Sequence, residues 1–222
     1  MKLAFVGGTG PEGLGLAMRF ARAGHEIAVG SRSAERGEEG AAKVREAVPS
    51  AVARGAENAD AVSDADVVFL TFPYSGQEAT LAALGSALDG KIVCNVAAPL
   101  EFVKGIGAVA LDVPGKSAAQ EAAQQLPEAR VVSGFQNLSA EELQELDHPV
   151  PADVLVCGKD VEAKQVVIGL ANEIDGVRGV DAGGLSQSRY VEMITSMLIN
   201  LNRKYKTQTA IRIVGLPGGE TH

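Results

Sequence analysis

Val6-Gly7-Gly8-Thr9-Gly10-Pro11-Glu12-Gly13-Leu14 is the stretch that decides the fold of this 222-residue chain. Upstream of it, Lys2-Leu3-Ala4-Phe5-Val6 is a short apolar run with the texture of a buried parallel strand. Downstream, residues 14–23 carry apolar side chains at helical spacing, and Gly24 falls where a helix C-cap belongs. Strand, glycine loop and helix, in that order, give G-x-G-x-x-G (Gly8, Gly10, Gly13) the context of a dinucleotide-binding turn. Gly8 is expected to let the chain turn off the strand, and Gly10 to admit a pyrophosphate close to the backbone. Gly13 is expected to bring helix and strand together. Thr9, Pro11 and Glu12 complete the loop, and the helix behind them offers free N–H groups and a positive dipole end to phosphates.

The second strand, 25–30, ends in Ser31-Arg32-Ser33. Sites for NAD usually place an acid at this point to hold the ribose hydroxyls. Here there is none. A carboxylate would repel the 2′-phosphate of NADP, whereas a guanidinium binds it with charge-assisted hydrogen bonds. Ser31, Arg32 and Arg36, one turn into the next helix, therefore select NADP, and Thr9 is placed to reach the same phosphate. Alone, these residues would read as a solvated helix start; the glycine loop beside them changes their meaning.

Composition fits a soluble α/β protein. Hydrophobic residues make up 46% and charged residues 22%, while aromatics are only 4% and Trp is absent, so Ala, Val, Leu and Ile must build the core. A net charge of −8 without an extended basic patch argues against a nucleic-acid partner. Cys94 and Cys157 sit inside apolar runs, as buried free cysteines do, and have no zinc-ligand spacing. No signal peptide or apolar run of membrane length is visible, so no membrane partner is expected and cytoplasm is the expected compartment.

Further strands are expected at 51–54, 66–71, 91–96, 130–135, 153–158 and 179–182, alternating with helices. In a doubly wound sheet the ligand lies beyond the carboxyl ends of the strands. Pro73 and Tyr74 follow one such end, and Tyr74 reads equally as a wall for adenine or ribose and as a surface aromatic at a helix start. The small residues after Val96, Ala97 and Ala98, leave room for a nicotinamide and its ribose. Gly134, Gln136 and Asn137 close the last of these ends. Residues 97–115 are glycine-rich and poorly patterned, and Ser139-Ala140-Glu141-Glu142 fits a capping box. A long helix is expected over 186–205, with Tyr190, Met193, Ile194, Met197, Leu198 and Leu201 as a stripe that reads first as core and second as a dimer contact. Residues 210–216 are placed to fold back over the site, ahead of a polar end. The expected architecture is a Rossmann doubly wound parallel sheet over 1–136 with a short C-terminal α/β extension over 137–222, forming one compact unit.

Four stretches of this sequence resemble the NADPH-dependent reductases of coenzyme F420, the deazaflavin. They are Gly7-Gly8-Thr9-Gly10, the run 24–32, Leu70-Thr71-Phe72-Pro73, and Val156-Cys157-Gly158 with Asp181-Ala182-Gly183-Gly184-Leu185-Ser186-Gln187-Ser188-Arg189. The last is the most specific, because glycine loops and basic strand ends recur across NADP enzymes. The resemblance implies hydride transfer between NADP(H) and the deazaflavin coenzyme F420, in either direction; the long last helix makes a homodimer the expected assembly. It implies 2′-phosphate contacts from Thr9, Ser31, Arg32 and Arg36, and a deazaflavin pocket at the strand ends near Val96 and Gly134. Where family members often carry a His after the latter strand, this chain has Gln136-Asn137, whose amides can hydrogen-bond a deazaflavin ring. The amide pair also suits an NADPH reductase of another acceptor, a flavin or a metal chelate; a non-catalytic NADP(H) sensor is the third reading. Hydride transfer itself needs proximity and exclusion of water rather than an acid or base, so no catalytic side chain is expected. His25 and His148 read as structural and solvated, and Arg203, Lys204 and Lys206 as a basic helix end complementing its dipole.

Overall fold

The computed structural model describes residues 1–216; the polar end, 217–222, lies outside the described residues. Eight strands form one sheet in the order β10-β9-β8-β5-β4-β1-β2-β3. Its inner part is parallel: β1 (Lys2–Val6), β2 (Glu26–Ser31), β3 (Ala53–Glu57), β4 (Val67–Leu70), β5 (Ile92–Asn95) and β8 (Arg130–Ser133). The strands buried on both faces, β4 (VVFL) and β5 (IVCN), are continuous apolar runs, whereas the edge strand β3 (ARGAE) buries only Ala56.

Side chains alternate between two faces, as strand geometry requires. Phe5, Val67, Phe69, Ile92 and Cys94 pack with α1 (Pro11–Arg22), α2 (Ala34–Ala47), α6 (Ala140–Gln144) and α7 (Val161–Asn172). Ala4, Val6, Val68, Leu70 and Val93 pack with α3 (Asn58–Val62), α4 (Gln77–Leu84) and α5 (Ala118–Gln125). Both cysteines are buried and free.

The C-terminal strands differ from a simple continuation. β9 (Ala152–Gly158) pairs antiparallel with β8, and β10 (Val177–Asp181) parallel with β9. A parallel neighbour needs a crossover back to the starting edge. Residues 134–151 hold only the five-residue α6 and no crossover helix along the sheet, and β9 runs back against β8. The stretch 97–115, unpatterned in the sequence, contains a hairpin of β6 (Leu100–Val103) and β7 (Gly107–Ala110). It is short and mostly exposed, so the alternation that marks a strand is weak.

α8 (Ser188–Tyr205) lies across the carboxyl edge. Its Glu192 accepts from Ala118 N and Ala119 N at the start of α5, its Thr195 Oγ1 donates to Gln136 O, and its Asn200 exchanges two bonds with Ala108 of β7. The expected core stripe of α8 is a correction. Leu198 is buried, but Tyr190, Met193 and Met197 are 63%, 47% and 52% exposed; the buried face carries Ser188, Val191 and Glu192 instead. No helix among the described residues is long and apolar enough to cross a membrane.

Candidate functional site

The glycine loop is built as its spacing predicts, with one shift. Gly7, not Gly8, carries the left-handed φ of +68° that turns the chain. Gly8 instead donates to Phe5 O and Gly30 O, and a Cβ there would lie 2.6 Å from the Phe5 side chain. A Cβ on Gly13 would meet Thr71 Oγ1 at 2.7 Å and Gly8 Cα at 2.8 Å, so helix and strands touch through it. Over Gly10 the space is open, with Gly7 O at 3.9 Å the nearest atom. The loop thus offers the start of α1, with Pro11 at its first turn, to whatever occupies that space.

Ser31 is buried at the end of β2, and Ser33 caps α2 by accepting from Arg36 N. Arg32 and Arg36 are exposed, and neither guanidinium makes a hydrogen bond or ion pair among the described residues. Thr9 is near: its Cγ2 lies within 3.1 Å of a Cβ placed on Gly40 of α2. Two uncommitted cations that follow a buried hydroxyl in sequence are the kind of donor set a phosphate requires.

The other strand ends are more tightly held. Tyr74 gives its hydroxyl to Glu121 Oε2 at 2.8 Å, which ties it to α5; burial and that carboxylate push its pKa up to about 12. Pro73 is exposed beside it. Behind the small residues, Asn95 accepts from Ala97 N and donates to Gln77 Oε1, and Gln77 donates to Ala118 O. This buried amide chain pins Val96 and Ala97 and leaves Ala98 half-buried.

After Gly134 comes Phe135, fully buried with φ +74°. Left-handed backbone at such a residue costs about 1–3 kcal/mol. Its ring packs 5.9 Å from Phe20 and 5.6 Å from Phe69, edge to face. Burying a Phe gains about 1.5–3 kcal/mol and each aromatic pair about 0.5–1.5 more, so the packing outweighs the strain. The twist sets the direction of the next two residues. Asn137 Nδ2 donates to Asp153 O, leaving Oδ1 buried and unpaired; Gln136 Oε1 is buried and unpaired too.

Both amides line a cavity of about 290 Å³ together with Glu12, Thr195, Asn202 and Thr209. Glu12 Oε1 is the third buried, unpaired oxygen in this wall, and burial pushes that carboxyl up to about 8. The tail closes one side: Thr209 donates to Asn202 Oδ1 through both its N and Oγ1, and Gln208 bonds Ser139, Asn202 and Glu141. Beyond it, Ile211 O accepts from Asp153 N, and the buried Asp153 accepts from Arg178 and Ile213 N. Residues 211–213 fold back against Asp153 of β9, but no residue beyond Thr209 lines this cavity.

Several of the residues that assemble the site carry no local signature. Arg19, buried in α1, donates to the carbonyls of Leu143, Glu142 and Glu145 at 2.9, 2.7 and 2.7 Å. Glu192 is held at α5 with its carboxyl pushed up to about 7, chiefly by burial. The Asp181-to-Arg189 stretch is structural at its start: Asp181 pairs with Lys164 at 2.7 Å and accepts from Gly183 N, fixing the turn into α8. His25 bridges Glu173 and the N-terminus, while His148 is exposed; Arg203, Lys204 and Lys206 are exposed at the end of α8. Only a helix period and a capping serine hinted at these long-range ties.

Comparison with known proteins places this geometry. Residues 2–99 match the family described as NADP oxidoreductase coenzyme F420-dependent. The F420-dependent NADP reductase of Methanocaldococcus jannaschii is 46% identical over 97% of this chain and 99% of its own length. That of Methanothermobacter thermautotrophicus is 43% identical over 99% and 97%. A crystal structure from Arthrobacter sp. FB24, provisionally assigned as an F420-dependent NADP-reductase, superposes with a TM-score of 0.81 at 27% identity, covering 96% of this chain and all of that one. With that identity over nearly its whole length, the chain belongs to the family of F420-dependent NADP reductases.

Proposed function

We propose that this protein transfers a hydride between NADP(H) and the deazaflavin coenzyme F420. One observation carries the reading: Glu12 belongs both to the phosphate-facing loop and to the wall of the cavity beyond it. A dinucleotide on the loop and a ring in the cavity would therefore meet at one residue. The residues present fit both groups. Open space over Gly10 and the free Arg32 and Arg36 suit a phosphorylated dinucleotide, with Ser31 and Thr9 beside them. The orphaned oxygens of Gln136 and Asn137 suit a ring edge bearing N–H groups. NADPH supplies the hydride; the protein orients the two rings and keeps water out. Residues 1–136 serve the NADP side, and 137–222 complete the acceptor side. Pro73, Tyr74, Val96, Ala97 and Ala98, at the neighbouring strand ends, are proposed to bound the NADP side; none of them lines the cavity.

The exposed Tyr190, Met193 and Met197 support a homodimer through α8, and the chain is proposed to act in the cytoplasm with small molecules as its partners. Sedimentation at micromolar concentration tests the dimer: a monomer there removes it.

The activity is tested by mixing the protein with NADPH and the deazaflavin and following the deazaflavin absorbance. It bleaches if the reading is right. NADPH bound without bleaching overturns it; oxidation of NADPH by a free flavin would then favour the other-acceptor reading, and inertness to every acceptor a sensor.

A further inference from the structure

Glu12 is the one carboxyl in the cavity wall that no protein group holds. The residue as a whole is half-buried, yet its Oε1 is sealed and has no hydrogen-bond partner among the described residues. It shares the cavity with two other orphaned oxygens, those of Gln136 and Asn137, in residues 5% and 2% exposed. All three are acceptors. Asn137 cannot turn its amide to help, because its Nδ2 is committed to Asp153 O.

The charges around it decide its state. On its own helix, Arg19 is occupied by the carbonyls of 142–145. From the 136–141 segment comes Glu141, exposed and bonded to Gln208. α8 contributes Thr195, Leu198, Ile199 and Asn202 and the tail Gln208 and Thr209, none of which titrates; Glu192 is turned to α5. Arg32 and Arg36 follow the end of β2, the neighbour of β1, but neither lines the cavity. Among the described residues, no cation lines this cavity. Burial alone raises its pKa to about 8, so it keeps its proton at neutral pH.

An ionised acid at this point would stand in the first turn of α1, next to the space where a pyrophosphate sits, and would repel it. An apolar residue would avoid that repulsion without leaving an orphaned oxygen, which costs about 1–3 kcal/mol. A neutral acid in that place has a use the apolar residue lacks: it can give a proton away.

We propose that Glu12 is the proton carrier of the transfer, passing its proton to a nitrogen of the acceptor ring as the hydride arrives. This rests on the activity proposed above. The balance is simple. The C4–H bond of NADPH breaks, and its hydrogen with both electrons forms a C–H bond on the acceptor ring. The O–H bond of Glu12 breaks, and its proton forms an N–H bond on the ring nitrogen that has gained the electron pair. NADP⁺, the ring reduced by two electrons, and a Glu12 carboxylate result. The carboxylate takes its next proton from water through the open side of the residue, so each turnover consumes one proton from solvent. In the opposite direction the same carboxylate receives the proton from the reduced ring.

The test combines a spectroscopic and a kinetic readout on the full chain. With carboxyl-¹³C-labelled glutamate, wild type should show a side-chain carboxyl still protonated at pH 7 that titrates near pH 8 and disappears in Glu12→Gln. In the deazaflavin assay, Glu12→Gln should lose about 10²–10⁴-fold in rate with its NADPH KM little changed. Wild-type reduction of the deazaflavin should decline above the titration midpoint, while the variant has no such break. A Glu12 carboxyl already ionised at pH 6 overturns the inference without reference to any variant. So does a Glu12→Gln enzyme that matches wild type in rate and pH profile. A wild type inert towards the deazaflavin overturns the activity reading and this inference together; an active wild type with an indifferent Glu12→Gln overturns this inference alone.

Discussion

The two halves of the site are made in opposite ways. The dinucleotide side is local: residues 7–36 supply the loop, the helix start and the phosphate corner, and they present backbone and two free guanidinia to open space. The acceptor side is assembled from pieces far apart in sequence. α1, the 134–145 segment, α8 and the tail are tied by Arg19, Thr195, Asn202 and Asp153, and they enclose buried oxygens that no group among the described residues satisfies. A local site is preformed by strand and helix geometry. An assembled one stands on long-range hydrogen bonds and holds unmet polarity in reserve for a ligand.

Breaking the assembly should cost most. Asp153→Ala removes the buried acceptor that holds Arg178 and Ile213 N, and the urea midpoint should fall sharply. If the halves are as separate as their construction suggests, the folded fraction still binds NADPH normally; an equal loss of NADPH affinity would unite them. Arg32→Ala addresses the other half. NADPH binding should weaken by about 1.5–3 kcal/mol in calorimetry while NADH binding is unchanged, and equal losses for both would remove Arg32 from the phosphate corner.

A smaller effect sharpens the idea of unmet polarity. Gln136→Leu removes an orphaned oxygen, so the ligand-free protein should gain about 1 kcal/mol while its affinity for the deazaflavin falls. A loss of stability instead would mean the oxygen is satisfied. The gentlest probe is pH. Glu192 has its carboxyl raised from 4.5 to about 7, so the folded state binds more protons than the unfolded one across that window. Its contribution to stability is therefore greatest at the acid end and lost as pH rises through about 7. Urea midpoints should fall across that range in wild type and less steeply in Glu192→Gln, where Glu12 still carries its raised carboxyl.

The contrast explains what the sequence could reveal. The parallel sheet, the turn at Gly7 to Gly13 and the Ser31-Arg32-Arg36 corner lie within one βαβ unit, where spacing dictates geometry. The antiparallel return of β9 was hidden because nothing in residues 134–151 announces a connection without a crossover helix. Arg19 looked like any helix arginine, since its partners lie 123 to 126 positions away. The stripe on α8 misled through its very periodicity: a helix that lies across a sheet edge buries a narrow seam and leaves its large apolar residues outside. Phe135 gave no sign of its left-handed backbone, because packing by Phe20 and Phe69 imposes it.

The return of β9 also sets an order in time. As the chain leaves the ribosome, the glycine loop waits for Asn58, Thr71 and Phe72 to pack against it, while α8 and the tail that wall the cavity follow more than 100 residues after those.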